Sequence, residues 1–243
     1  MKSGVLEHDD QLIPYQVQHK RSVTRRIHLR TAQDGSLLII APRRMSQRVI
    51  QDALQERVHK VARFLVDARE KRMETPQPRY VAGEQHLFMG DLRLLEITFA
   101  TARSSHVELT PTAIRISTNE ASPGRIKSLL EKWYRARAAE HFSERMDLYA
   151  EKAPWVTGER PPIRLRKMKR TWGNCSAKGN ITLNTRLMKA PPDCIDYVIA
   201  HELCHLQEMN HGRAFYSLQS ELFPDWRSAR SHLRAKAHVY LAD

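Results

Sequence analysis

The amino-acid sequence predicts an α+β fold: a mainly β N-terminal region with a helix, followed by a region whose principal helix packs on a small antiparallel sheet. Three observations predict it. Short β-rich runs bounded by Gly and Pro fill much of the first half, longer stretches carry apolar residues at three-and-four spacing, and no internal repeat or low-complexity tract is present. A chain of 243 residues, 41% of them hydrophobic, suffices for one large or two modest domains with a real core.

The elements follow in order. "YQVQHKRSVTRRIHLRT" partly alternates, and "GSLLIIAP" is a short strand opened by Gly35 and closed by Pro42, with a hairpin expected across "QDGS". "SQRVIQDALQERVHKVARFLVDAREKR" places Val49, Ile50, Leu54, Val58, Val61, Leu65 and Val66 on one helical face, with Ser46 as N-cap. "METPQPRY" breaks that helix, after which "HLFMGDLRLLEITFA" and "HVELTPTAIRIST" return to strand composition. A domain boundary is expected near Ser122 to Gly124, dividing a β-rich domain over 1–122 from a second domain over 123–243. The second domain opens with a long helix whose apolar face holds Ile126, Leu129, Leu130, Trp133 and Tyr134. "IRLRKMKRTWGNCSAKGNITLNTRL" reads as a strand, a turn at "AKGN" and a second strand. Pro191, Pro192 and Asp193 then start a helix with Ile195, Val198, Ile199, Leu203 and Leu206 on its apolar stripe.

Charge and cysteine content narrow the function classes. Forty Lys plus Arg against 27 Asp plus Glu give a net charge of +13, which points to an anionic partner such as a nucleotide or nucleic acid, or else to a solvated basic surface. The densest basic run is "RLRKMKR", Arg164 to Arg170. Cys175, Cys194 and Cys204 are odd in number and lack CxxC spacing, so neither a disulfide framework nor a cysteine zinc knuckle is expected. With no membrane-length apolar run and no signal-peptide pattern in "MKSGVLEHDDQLIPYQ", a cytoplasmic protein without a membrane partner is expected.

The chemistry concentrates in "HELCHLQEMNH". Residues four apart on a helix differ by roughly 40° around its axis, so His201 and His205 can offer ring nitrogens to one ion. Glu202 can take a proton from a water activated by that ion without being a ligand itself. His211 lies about 240° further round a continuing helix, so it joins the pair only if the helix ends first. Asn210 and Gly212, tolerant of left-handed backbone geometry, are placed to make that turn. Three histidines and an open fourth position describe a catalytic site, and neutral imidazoles favour one Zn2+ per chain over nickel, cobalt or manganese.

"TWGNCSAKGNITLN", "YVIAHELCHLQEMNHGRAFY" and "LFPDW" together resemble the YgjP-like metallopeptidase family, akin in motif logic to the SprT and WLM zincins. The match runs from about Arg166 to Trp226. The resemblance implies a zincin-like metal-dependent hydrolase domain over 123–243, with His201, His205 and His211 as metal ligands and Glu202 as general base. It also implies that the hairpin from Trp172 to Asn184 lies beside the cleft. The family's usual "RWGSC" stands here as "TWGNC", with Arg170 one place early and Asn174 in place of serine.

Trp172, Asn174, Arg170 and Tyr216 are the candidate substrate-binding residues, with Trp172 reading first as a core or cleft-wall aromatic. Cys175 reads as structural, and Asn184 as a hairpin or ligand-orienting residue. Tyr216, Arg227, Arg230 and His232 follow the motif and are candidate oxyanion donors. The leading functional expectation is a zinc metallopeptidase acting on a peptide or protein. Its rivals are a nucleoside triphosphate hydrolase using the same metal and a nucleic-acid-binding module with a non-catalytic zinc.

Overall fold

A computed structural model of the chain describes residues 2–9, 11–32, 34–74, 77–101 and 105–242. The chain separates into two compact units, Met1–Pro76 and Gln77–Asp243.

The first unit contains β1 (Lys2–His8), β2 (Gln11–Lys20), β3 (His28–Thr31), β4 (Leu37–Pro42), α1 (Gln47–Gln55) and α2 (Val58–Glu74). Its sheet has the order β1-β2-β4-β3, with β2 and β4 parallel and the other pairs antiparallel. The β3–β4 hairpin falls where "QDGS" predicts it, although Gln33 itself lies outside the described residues. Ser46 caps α1, its hydroxyl accepting from the Val49 N–H at 3.4 Å. The single amphipathic helix expected here is two helices. The Arg57 N–H bonds the Leu54 carbonyl, an i→i+3 bond that closes α1, and a new axis starts at Val58. Both helices thereby reach one core, Ile50 and Leu54 from α1 and Val61 from α2, packed with Leu6, Tyr15 and Ile39.

The second unit holds β5 (Gln85–Phe88), β6 (Asp91–Phe99), β7 (His106–Leu109), β8 (Ala113–Thr118) and the long helix α3 (Pro123–Lys152). There follow β9 (Ile163–Arg166), β10 (Gly173–Cys175), β11 (Ile181–Asn184), a 3-10 turn (Thr185–Lys189), α4 (Pro192–Cys204), α5 (Arg213–Leu222) and α6 (Trp226–Tyr240). The boundary expected at Ser122–Gly124 falls inside this unit, where Ser122 caps α3 and Pro123 occupies its first turn. The reason is packing: Leu95, Ile114 and Ile116 of the β5-β6-β8-β7 sheet share one core with Ile126, Leu130 and Trp133 of α3.

The small sheet has the order β10-β11-β9 and is mixed rather than antiparallel, because β9 runs parallel to β11. The stretch read as one strand before the turn thus holds two, β9 and β10. Asn184 fixes the bend between them. Fully buried, its amide donates to the Met168 and Thr171 carbonyls and accepts from the Met168 and Arg186 N–H groups, so it is structural. The β10–β11 turn sits at "AKGN" as expected, with Gly179 at φ +75°. α3 and α4 are tied by a bidentate pair, Arg145 Nε and Nη2 each 2.6 Å from the Asp196 carboxylate. No helix among the described residues is long and apolar enough to cross a membrane.

Candidate metal centre

α4 begins where its prolines predict, with Pro191 as N-cap and Asp193 in the first turn, and it buries Ile195, Val198, Ile199 and Leu203 in the core. The helix ends at Cys204, so His205 is already its C-cap residue. Tight bonds close the end: the Leu206 N–H meets the Leu203 carbonyl, the Glu208 N–H meets that of Cys204, and the Trp155 indole N–H also donates to Leu203 O at 2.9 Å. The left-handed residue expected at Asn210 or Gly212 is not used. Gly212 has φ −88° and Asn210 is not among the positive-φ residues, because the earlier helix end already redirects the chain.

That turn returns His211 to His201 and His205, and one ring nitrogen from each lies within 4.8 Å of the others. His201 Nε2 and His211 Nε2 are 3.1 Å apart, close to the roughly 3.3 Å that two tetrahedral nitrogen ligands at about 2.0 Å from one ion adopt. His205 Nδ1 lies 3.1 Å from the Glu208 carbonyl, which can only accept, so Nδ1 carries the proton and Nε2 presents a lone pair. Burial, reinforced by the neighbouring His205 and His211, pushes the His201 pKa down to about 3, and burial likewise lowers that of His211. Burial thus disfavours a proton on His201 and His211, and a ring nitrogen free of its proton is what a divalent ion requires. The donor set therefore fits a metal ion.

Two neighbours of the rings carry no motif signature. The Phe215 ring centroid is 4.9 Å from His201 and 4.7 Å from both His205 and His211, so one buried phenyl backs all three imidazoles. Gln219, fully buried one turn further along α5, stands beside His201 and raises its pKa without reaching good hydrogen-bond geometry. The three-and-four spacing of Phe215, Leu218 and Leu222 announces α5, but not that its apolar face abuts histidines.

Glu202 is 3% exposed, its Oε2 makes no hydrogen bond among the described residues, and burial raises its pKa to about 8. It rests against β10 at Gly173, where a Cβ would stand 2.5 Å from its Oε1. Glycine inside a strand is the sequence signal for such a close approach, and Gly173 in "TWGNC" supplies it. Strand alternation turns Gly173 and Cys175 towards Glu202, and Asn174 away into solvent. The Cys175 thiol is pushed up by burial and then by Glu202, the opposite of an activated nucleophile.

The remaining candidates scatter. Trp172 packs on the core, its ring edge-on to Tyr240 with centroids 6.4 Å apart. Arg170 is exposed in the β9–β10 connection. Tyr216 lies on the His211 side with ring centroids 6.3 Å apart, stacks on Trp226, and has its hydroxyl 3.5 Å from Arg230 Nη1. The Arg230 charge reaches the site, lowering the pKa of His201 and of His211. Arg227 instead covers the Trp226 ring at 4.4 Å, and His232 bonds the Tyr240 hydroxyl at 2.8 Å. In the basic run, Lys167 pairs with Glu131 at 2.7 Å, while Arg164 and Arg166 are exposed on β9.

A family model described as YgjP-like, metallopeptidase domain matches residues 25–236. The metallopeptidase zymogen abylysin of Pyrococcus abyssi is similar at 20% identity and a TM-score of 0.36, over 39% of this chain and 93% of that one. The metallopeptidase zymogen jannalysin of Methanocaldococcus jannaschii is similar at 20% identity and a TM-score of 0.35, over 40% and 96%. No curated protein matches. With the family model spanning the histidine centre and most of both units, the chain belongs to the YgjP-like metallopeptidase-domain family and is a metal-dependent hydrolase.

Proposed function

We propose that this protein is a zinc-dependent metallopeptidase in which His201, His205 and His211 hold one zinc ion per chain and Glu202 is the general base. The observation that carries the reading is the convergence of three imidazoles beside a buried carboxylate. Zinc held there supplies Lewis acidity, easing loss of a proton from water and polarising a carbonyl. Glu202 accepts that proton as the water oxygen attacks the peptide carbonyl, then returns it to the departing amine nitrogen. Gly173 leaves room for the carboxylate to swing between those two positions. Phe215 holds the imidazoles in place and keeps water from behind them. The Tyr216 hydroxyl and Arg230 donate to the carbonyl oxygen as it gains charge. Trp172 serves as cleft wall, and the exposed Arg170 and Asn174 contact only the outer parts of a bound peptide. The three free thiols support a reducing, cytoplasmic setting.

The test is metal content of the purified protein beside His211→Ala, with hydrolysis of a casein-type protein and of nucleoside triphosphates followed on the same samples. The reading expects one equivalent of zinc, lost in the variant together with protein hydrolysis. Phosphate release without peptide cleavage would instead make the same centre a nucleotide hydrolase.

A further inference from the structure

The strand register of the first unit gathers positive charge at one end of its sheet. β2 and β4 run parallel with Lys20 opposite Pro42, so both strands leave the sheet together. β3 returns beside β4, with His28 opposite Ile40, so the connection over 21–27 emerges next to the one over 43–46. Arg21, Arg25 and Arg26 lie on the first connection, Arg43 and Arg44 on the second, and Arg48 in the first turn of α1. α1 is held in this direction by Gln47 donating to the Ser3 carbonyl at its start and Gln55 to that of Glu7 at its end. Neither connection contains an Asp or Glu. Glu7 near the end of β1, and Asp9 and Asp34 in turns, lie at the opposite end of the sheet.

All six arginines are exposed, and none enters an ion pair among the described residues. Spread over two adjacent loops, they suit a partner that carries anionic groups in series rather than one small anion. Arginine outnumbers lysine, and its planar fork matches phosphate oxygens two at a time. Neither connection carries an exposed large hydrophobic residue to enter a bilayer, nor an aromatic one to stack on a base. We propose that this end of the N-terminal sheet binds the phosphate backbone of nucleic acid, without preference for base sequence.

The test is fluorescence anisotropy of a labelled single-stranded oligonucleotide and of its duplex, titrated with the full-length, chelator-treated protein between about 50 and 200 mM salt. Wild type should bind with a log–log salt slope of about −3 on the single strand, the value for roughly four phosphates neutralised. Replacing Arg21, Arg25, Arg26, Arg43 and Arg44 together by Gln should weaken binding at least about tenfold and flatten that slope. Replacing the equally exposed Arg164, Arg166 and Lys169 should leave affinity within about twofold. Circular dichroism of both variants checks that these surface changes leave the fold intact. Equal losses in the two variants would overturn the proposal in favour of diffuse net charge. So would absence of binding to either oligonucleotide at the lowest salt, or equal affinity for vesicles rich in phosphatidylserine.

Discussion

At Glu202 and His201, burial sets both the chemistry and a pH signature. In the metal-free protein the Glu202 pKa stands at about 8 against an ordinary 4.5, so its contribution to stability is full below 4.5 and is lost as pH rises to about 8. His201 stands at about 3 against 6.5, so its contribution grows as pH rises from about 3 to 6.5. The two slopes oppose each other between 4.5 and 6.5, and only the loss from Glu202 remains above that. Thermal midpoints of chelator-treated protein should therefore fall between pH 6.5 and 8, and Glu202→Gln should flatten that fall; an unchanged profile in the variant would place the titration elsewhere. With metal restored, Glu202→Gln should retain zinc and lose roughly 100- to 10,000-fold in kcat, read by metal analysis beside peptide hydrolysis. Gly173→Ala tests the close approach independently. Its Cβ must displace the carboxylate, so kcat should fall by at least about tenfold with zinc still bound, and normal turnover would show that Glu202 tolerates a shift.

Among the elements, α4 governs the site because it is a core helix that also carries His201 and Glu202. Its position along α3 depends on the Arg145–Asp196 pair, in which the Asp196 side chain is 12% exposed and that of Arg145 is 30% exposed. Asp196→Ala removes one partner and leaves a guanidinium against the core. The expected cost is about 2 kcal/mol, below the roughly 3 to 5 kcal/mol of a fully buried pair because Arg145 still reaches water. Chemical denaturation should show the midpoint shift. The end of α4 was legible only in part. Its spacing requires the helix to stop before His211, but the stop comes at Cys204 through backbone bonds and the distant Trp155 rather than through Asn210 or Gly212.

For the whole molecule, two hydrophobic cores accompany the two units, one built around Leu6, Tyr15 and Ile39 and the other around Ile114, Phe142 and Ile199. A fragment spanning 77–243 should fold alone, show helical circular dichroism and bind zinc, since every residue of the histidine centre and its core lies within it. A fragment cut at the expected boundary of 123 should not, because it leaves Ile126, Leu130 and Trp133 of α3 without the sheet they cover. Failure of the longer fragment to fold would show that the cores are not independent.

By itself the sequence determined the α+β class, the cap at Ser46, the "AKGN" turn and the three histidines with Glu202. Each of these is encoded within a few residues, where helical or strand period and turn chemistry act. Tertiary structure alone decided that the β5–β8 sheet sides with α3, that β9 pairs parallel to β11, and that Phe215, Gln219 and Gly173 enclose the centre. It also decided that two arginine runs some twenty residues apart meet at one sheet end. Those outcomes depend on contacts between residues distant in the chain, whose local pattern fixes that they are buried or exposed but not what they face.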